Sequence, residues 1–191
     1  MRAALILSLA MLAVPAQAQT VASIDTELVK GRCRFIEDDG EVGHYALKRC
    51  PGLAGARVYT TAGVNDVALS FKWGKRKAVE VFANGSIGTR LEWRGIKDKK
   101  GFKPHAVIVQ RIMKDHENDE RHNVWAVIRM EPRNACLMAV IDETANPDYL
   151  ALARAAADNE APALACASLR PKIVGTPSRW AKEAIGSEPP K

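Results

Sequence analysis

Hydrophobic and polar positions alternate along most of this chain, and that alternation predicts strands more often than helices. The clearest run is Val67–Trp73, where Val67, Leu69, Phe71 and Trp73 share one face and Ala68, Ser70 and Lys72 the other. Residues 32–37 repeat the pattern, with Cys33 and Phe35 opposed to Arg32 and Arg34. Residues 44–50 read as the hairpin partner, across a turn at Asp38-Asp39-Gly40, because Asp-Gly accepts the positive φ of tight turns. Cys50-Pro51-Gly52 closes that unit. Further strands are expected at 57–61, 91–94, 105–113 and 123–130, the last two joined by the polar loop 114–122. Residues 135–141 are apolar at every position, which predicts a central strand buried on both faces. Residues 24–30 are ambiguous between helix and loop. Lys75-Arg76-Lys77 reads as exposed, opening a short helix that ends at Phe82.

One segment carries helical signals throughout. Asn146 suits an N-cap, Pro147 the first helical position and Asp148 the positive end of the helix dipole. This helix runs to about residue 159, with Leu150, Ala153 and Ala157 on one face so that it can lie close to a sheet. Beyond Val174 the chain turns polar and proline-rich, and 175–191 reads as a mobile tail with Trp180 able to fold back. The pattern defines an α+β domain: a mainly antiparallel β-sheet with one C-terminal helix packed on it.

The N-terminus changes the setting of that domain. Met1-Arg2, the apolar run 3–14, Pro15 and Ala16-Gln17-Ala18 have the layout of a secretory signal peptide cleaved after Ala18. The run is shorter than the ~20 apolar residues that span a bilayer, and no cysteine follows the cleavage site to take a lipid. The expectation is an exported chain that does not span the membrane, with one domain over residues 19–174. Four cysteines in such a chain predict two disulfides among three possible connectivities. Cys33–Cys50 and Cys136–Cys166 are favoured, since each pair brackets a local unit. Chain entropy assigns them about 3 and about 3.5–4 kcal/mol. The cysteines lack the Cys-x-x-Cys pairs of a zinc site.

Charged residues make up 26% of the chain, an ordinary globular share that excludes wholesale disorder. The net charge of +6 favours an anionic partner through salt-sensitive attraction, and export excludes nucleic acid as that partner. Candidate chemistry is sparse. Asp115, Glu117 and Asp119 alternate like the first ligands of a calcium loop, but Glu120 stands where glycine is needed and Ala126 where a bidentate glutamate is needed. His116 and His122 are six residues apart, unlike the helical spacing of zinc hydrolases. No serine sits in a Gly-x-Ser-x-Gly elbow. Glu92 and Asp142 are the candidate carboxylate pair for glycan cleavage, although Glu92 also suits an ion pair with Arg94. Trp73, Trp93 and Trp125, with Arg94 and the basic residues Lys75, Arg76, Lys77, Lys97, Lys99 and Lys100, are candidates for a sugar- or peptide-binding groove, against the alternative that inward tryptophans are core.

Cys50-Pro51-Gly52, Leu91-Glu92-Trp93-Arg94 and the stretch from Ile141-Asp142 through Ala145-Asn146-Pro147 and Ala157-Asp158 to Cys166 resemble a group of small secreted proteins of Gram-negative bacteria, over roughly residues 24–174. That resemblance implies a periplasmic address and carries no assigned catalytic residue. The resulting expectation is a non-catalytic periplasmic binding or inhibitor module for an anionic envelope component or a protein, without metal or cofactor. The alternative is an envelope hydrolase using Glu92 and Asp142 or the His116/His122 loop.

Overall fold

The computed structural model describes residues 20–29, 31–38, 46–63, 66–82, 85–115 and 118–186. In chain order the strands are β1 (Thr20–Glu27), β2 (Arg34–Asp38), β3 (Ala46–Cys50), β4 (Ala56–Ala62), β5 (Val67–Trp73), β6 (Val79–Phe82), β7 (Ser86–Asp98), β8 (Gly101–Lys114), β9 (Arg121–Glu131) and β10 (Asn134–Asp142). Helix α1 (Tyr149–Asn159), a 3₁₀ turn, β11 (Lys172–Ile173) and helix α2 (Arg179–Gly186) follow.

The strands form two sheets, ordered β1-β7-β8-β9-β10-β11 and β2-β3-β4-β5-β6. Among the described pairs all are antiparallel except β10 with β11. The mainly antiparallel α+β class expected from the alternation is therefore present, but as two stacked sheets and with two helices among the described residues. Alternation explains the stacking. Val58, Leu69, Phe71 and Phe82 of the smaller sheet and Leu91, Trp93, Val107, Val109, Ile128 and Leu137 of the larger one form a single buried cluster. The in-between residues Ala106, Ile108, Val127, Ala139 and Ile141 point to the other face, where they meet Ala153, Ala156 and Ala157 of α1. The six-stranded sheet is thus the middle of three layers, which is why β10 is apolar on both faces.

Local readings gave way where long-range pairing decided. Residues 20–27 become a strand because β7 offers an open edge, pairing Ile24 with Trp93 and Ser23 with Arg94. Residues 75–82 do not form a helix: Gly74, at φ +57°, turns the chain and β6 returns along β5. Helix α1 begins after Asp148 rather than Asn146. The Asn146 side chain instead bridges two loops, donating to the Asp142 and Thr176 carbonyls and accepting from the Thr176 N–H. The stretch read as a mobile tail contains α2, whose Ala181 and Ala184 are fully buried; residues 187–191 lie outside the described residues.

Cys33 is joined to Cys50 and Cys136 to Cys166, the pairing expected from their spacing. The first ties β3 to the residue ahead of β2, and the second anchors the segment after α1 to β10. No described helix is long and apolar enough to cross a membrane. The leader and the turn at Asp39-Gly40 lie outside the described residues.

Candidate functional site

The chemistry-bearing residues fall into two places, one closed and one open. The closed one lies between α1 and the six-stranded sheet. Leu91 and Trp93 of β7 face the inter-sheet core, so Glu92 and Arg94 point at the helix. Glu92 is only 4% exposed, yet it accepts two hydrogen bonds from Arg154 of α1 at 2.9 and 3.0 Å, one from Ser23 at 2.9 Å and one from Arg94 at 3.2 Å. Arg94 in turn makes a two-pronged contact with Asp158 of α1. Burial opposes ionisation of Glu92, but the Arg154 and Ser23 hydrogen bonds and the two arginine charges outweigh it and hold its carboxyl below the ordinary glutamate range. Arg94 is held above its ordinary value, chiefly by its hydrogen bond to Asp158.

A β-bulge adds His105 to this group. Ala106 faces Arg94 and Pro104 faces Gly95, so His105 is the extra residue and its ring turns toward α1. Its Nε2 stands 3.6 Å from Asp158, beyond hydrogen-bond length, and burial pushes the imidazole below its ordinary pKa despite the nearby carboxylate. Glu92, Arg94, Arg154 and Asp158 are thus paired with one another, while the buried His105 Nε2 has no hydrogen-bond partner among the described residues.

The candidate carboxylate pair is not brought together. Asp142 lies on β10, separated from β7 by β8 and β9, and its carboxylate receives the Ala145 N–H and the Ser178 hydroxyl. The three tryptophans do not converge either. Trp93 is fully buried between the sheets, edge-on to Phe71, and donates to Thr26 at 2.9 Å. Trp125 is on the opposite face of its sheet, stacked on Tyr149 and bonded to Glu143. Trp73 lines a cleft. His122 stacks on Trp180 of α2 with ring centres 4.1 Å apart, while His116 lies outside the described residues.

The open place is the end of the sandwich near Trp73. There the β3–β4 loop, the β5–β6 turn, the start of β8 and the β9–β10 turn surround a cleft of about 710 Å³. Leu53, Trp73, Pro104 and Met130 supply apolar lining, and Lys75, Arg76, Lys103 and Arg133 bring positive charge. Lys103 is paired with Asp98 at 2.6 Å. Glu131, the acidic residue of the lining, is engaged by the Cys166 N–H at 2.7 Å.

Arg133 sits there under strain. It is the second residue of the two-residue turn Pro132-Arg133 and has φ +72°, where such turns ordinarily place glycine. A side chain in that region costs about 1–2 kcal/mol. Ala54, at φ +51°, is a second left-handed non-glycine residue in the same lining. Sequence reading placed Trp73, Lys75 and Arg76 in a candidate groove but missed Met130 and Arg133. The available signal was the Pro-Arg step, too short for anything but a tight turn.

Fold and site together define a disulfide-stapled, three-layer β-sandwich protein with a basic, apolar-lined cleft at one end. Compared with known protein families, curated proteins and solved structures, the chain matches none.

Proposed function

We propose that the protein is a non-catalytic binding module of the periplasm that takes an anionic amphiphile of the envelope into the cleft at the end of the sandwich. The cleft itself carries this reading. Its 710 Å³ lies within the roughly 300–1,000 Å³ of small-molecule sites, and it joins apolar lining to a positive rim. Trp73 and Met130 suit a hydrocarbon chain, while Lys75, Arg76 and Arg133 suit its charged end. Two disulfides agree with the oxidising address that the leader suggests. Glu92, the strongest hydrolase candidate, is held ionised by two arginines and so is a poor proton donor near neutral pH.

The test is a titration followed by tryptophan emission, with palmitate against its uncharged glycerol ester. Palmitate should bind saturably, and Trp73→Ala should abolish the emission change. Lys75→Gln with Arg76→Gln should weaken palmitate at least about fivefold and leave the ester almost unaffected. Equal binding of both ligands, or turnover of peptidoglycan or model esters by the purified protein, would overturn the proposal.

A further inference from the structure

The smaller sheet carries a second feature, which adjoins the cleft at Gly55 and Ala56, residues that line both. It is a concavity of about 450 Å³ lined by four arginines, Arg32, Arg34, Arg49 and Arg57. Register explains the crowding. Arg34 of β2 is directly opposite Arg49 of β3, Arg49 is opposite Tyr59 of β4, and Arg57 precedes Tyr59 by two residues on the same face. Lys72 of β5 is opposite Arg57 and extends the positive surface.

Like charges placed directly across an antiparallel pair destabilise a sheet. Solubility alone would be met by scattering these charges with acids between them. Among the described residues, the acidic partner in this group is Glu27, 3.6 Å from Arg32 in an exposed pair; Arg34, Arg49 and Arg57 have none. The covalent frame nevertheless holds the arginines together. Cys33, between Arg32 and Arg34, is bonded to Cys50, next to Arg49, with Cα atoms 4.1 Å apart. Gly52 then lets the loop fold so tightly that a Cβ there would collide with the Ala56 carbonyl.

The chemistry of the groups selects the ligand. A guanidinium presents a planar fork that matches carboxylate or phosphate oxygens. A single carboxylate has two oxygens and occupies one fork, whereas a phosphate offers three terminal oxygens and close to two charges. We propose that this arginine groove is a binding site for a phosphomonoester or diphosphate group, held open by the Cys33–Cys50 disulfide and distinct from the amphiphile cleft.

Calorimetric titration of the full chain with inorganic pyrophosphate tests this, with poly-glutamate as the acidic-polypeptide comparison. Pyrophosphate should bind at one site, more weakly as salt rises, and raise the melting temperature. Arg34→Gln with Arg49→Gln should lower its affinity at least about tenfold, while Lys75→Gln with Arg76→Gln should change it less than about twofold. The double arginine variant should itself melt no lower than the parent, because a repulsion has been removed. Two sources of phosphate are separated by vesicles of phosphatidylcholine with and without phosphatidic acid. Arginine-dependent binding to the phosphatidic acid vesicles identifies a lipid headgroup; pyrophosphate binding without vesicle binding identifies a soluble phosphate ester. Absence of pyrophosphate binding, binding unchanged in the arginine variant, or tighter arginine-dependent binding of poly-glutamate overturns the proposal.

Discussion

Glu92 sits where a carboxylate should be costly, between an apolar sheet and a helix, and stays ionised because Arg154 and Arg94 reach it from two elements. Without its charge the site keeps the Arg94–Asp158 pair but loses the charge-assisted hydrogen bonds from Arg154 and Arg94. Glu92→Gln should therefore destabilise by about 1–2 kcal/mol in urea unfolding, less than breaking a fully enclosed pair because Arg154 is 44% exposed. The sign of the pH dependence follows from the same residues. Glu92 is lowered in the folded state, so its contribution is complete above the ordinary glutamate value and is lost as pH falls through the lowered one. His105 is also lowered, kept neutral by burial, so the fold weakens as pH drops below about 6.5 and the unfolded chain takes up the proton first. Both act in one direction. The melting temperature should fall from about pH 7 to about pH 4, and His105→Gln should flatten the upper part of that fall. Glu92 with Arg94 was legible as two residues on one strand face. Arg154 and Asp158 were not, being 62 and 64 residues away from their partners.

At the scale of elements, two short pieces carry more than their length suggests. The Pro132-Arg133 turn joins β9 to β10 with a left-handed arginine. Arg133→Gly should raise stability by about 1 kcal/mol by relieving that strain, while weakening palmitate in the cleft; a gain in stability with unchanged binding would remove Arg133 from the site. Helix α2 closes the sandwich over Arg111, which is fully buried, stacks 4.4 Å from the Phe82 ring centre and donates to the Ala184 carbonyl at 2.7 Å. Burial pulls its pKa down to about 10. Truncation before Ser178 takes away that carbonyl and uncovers the core, and should lower stability by at least about 3 kcal/mol, read as a shifted urea midpoint with a changed slope. The helix was hard to foresee because eight residues with polar flanks gain almost nothing from propensity. What stabilises α2 is the alanine face it lays against the sheet, and Arg111, 73 residues upstream, that meets its Ala184 carbonyl.

For the molecule as a whole, the disulfides are fastened to different layers, and their loss should be felt differently. Replacing Cys136 and Cys166 by alanine frees the chain beyond α1 and should cost about 3.5–4 kcal/mol of stability with pyrophosphate affinity retained. Replacing Cys33 and Cys50 should cost about 3 kcal/mol and weaken pyrophosphate binding as well, since the arginines flank those residues. The two variants thus separate stapling of the fold from shaping of the groove. Taken alone, the sequence determined which residues face inward on β5 and β7, the burial of β10 on both faces and the approximate place of α1, and it favoured one pairing of the cysteines. These are properties of period and short spacing, which a strand or loop carries locally. Only the tertiary structure decided that the strands divide into two sheets, that Trp73, Trp93 and Trp125 part to three environments, and that Arg34 meets Arg49 across a hairpin. Each of those outcomes depends on register and on which edge a strand finds, and a one-residue slip in either would turn the same side chains to the opposite face.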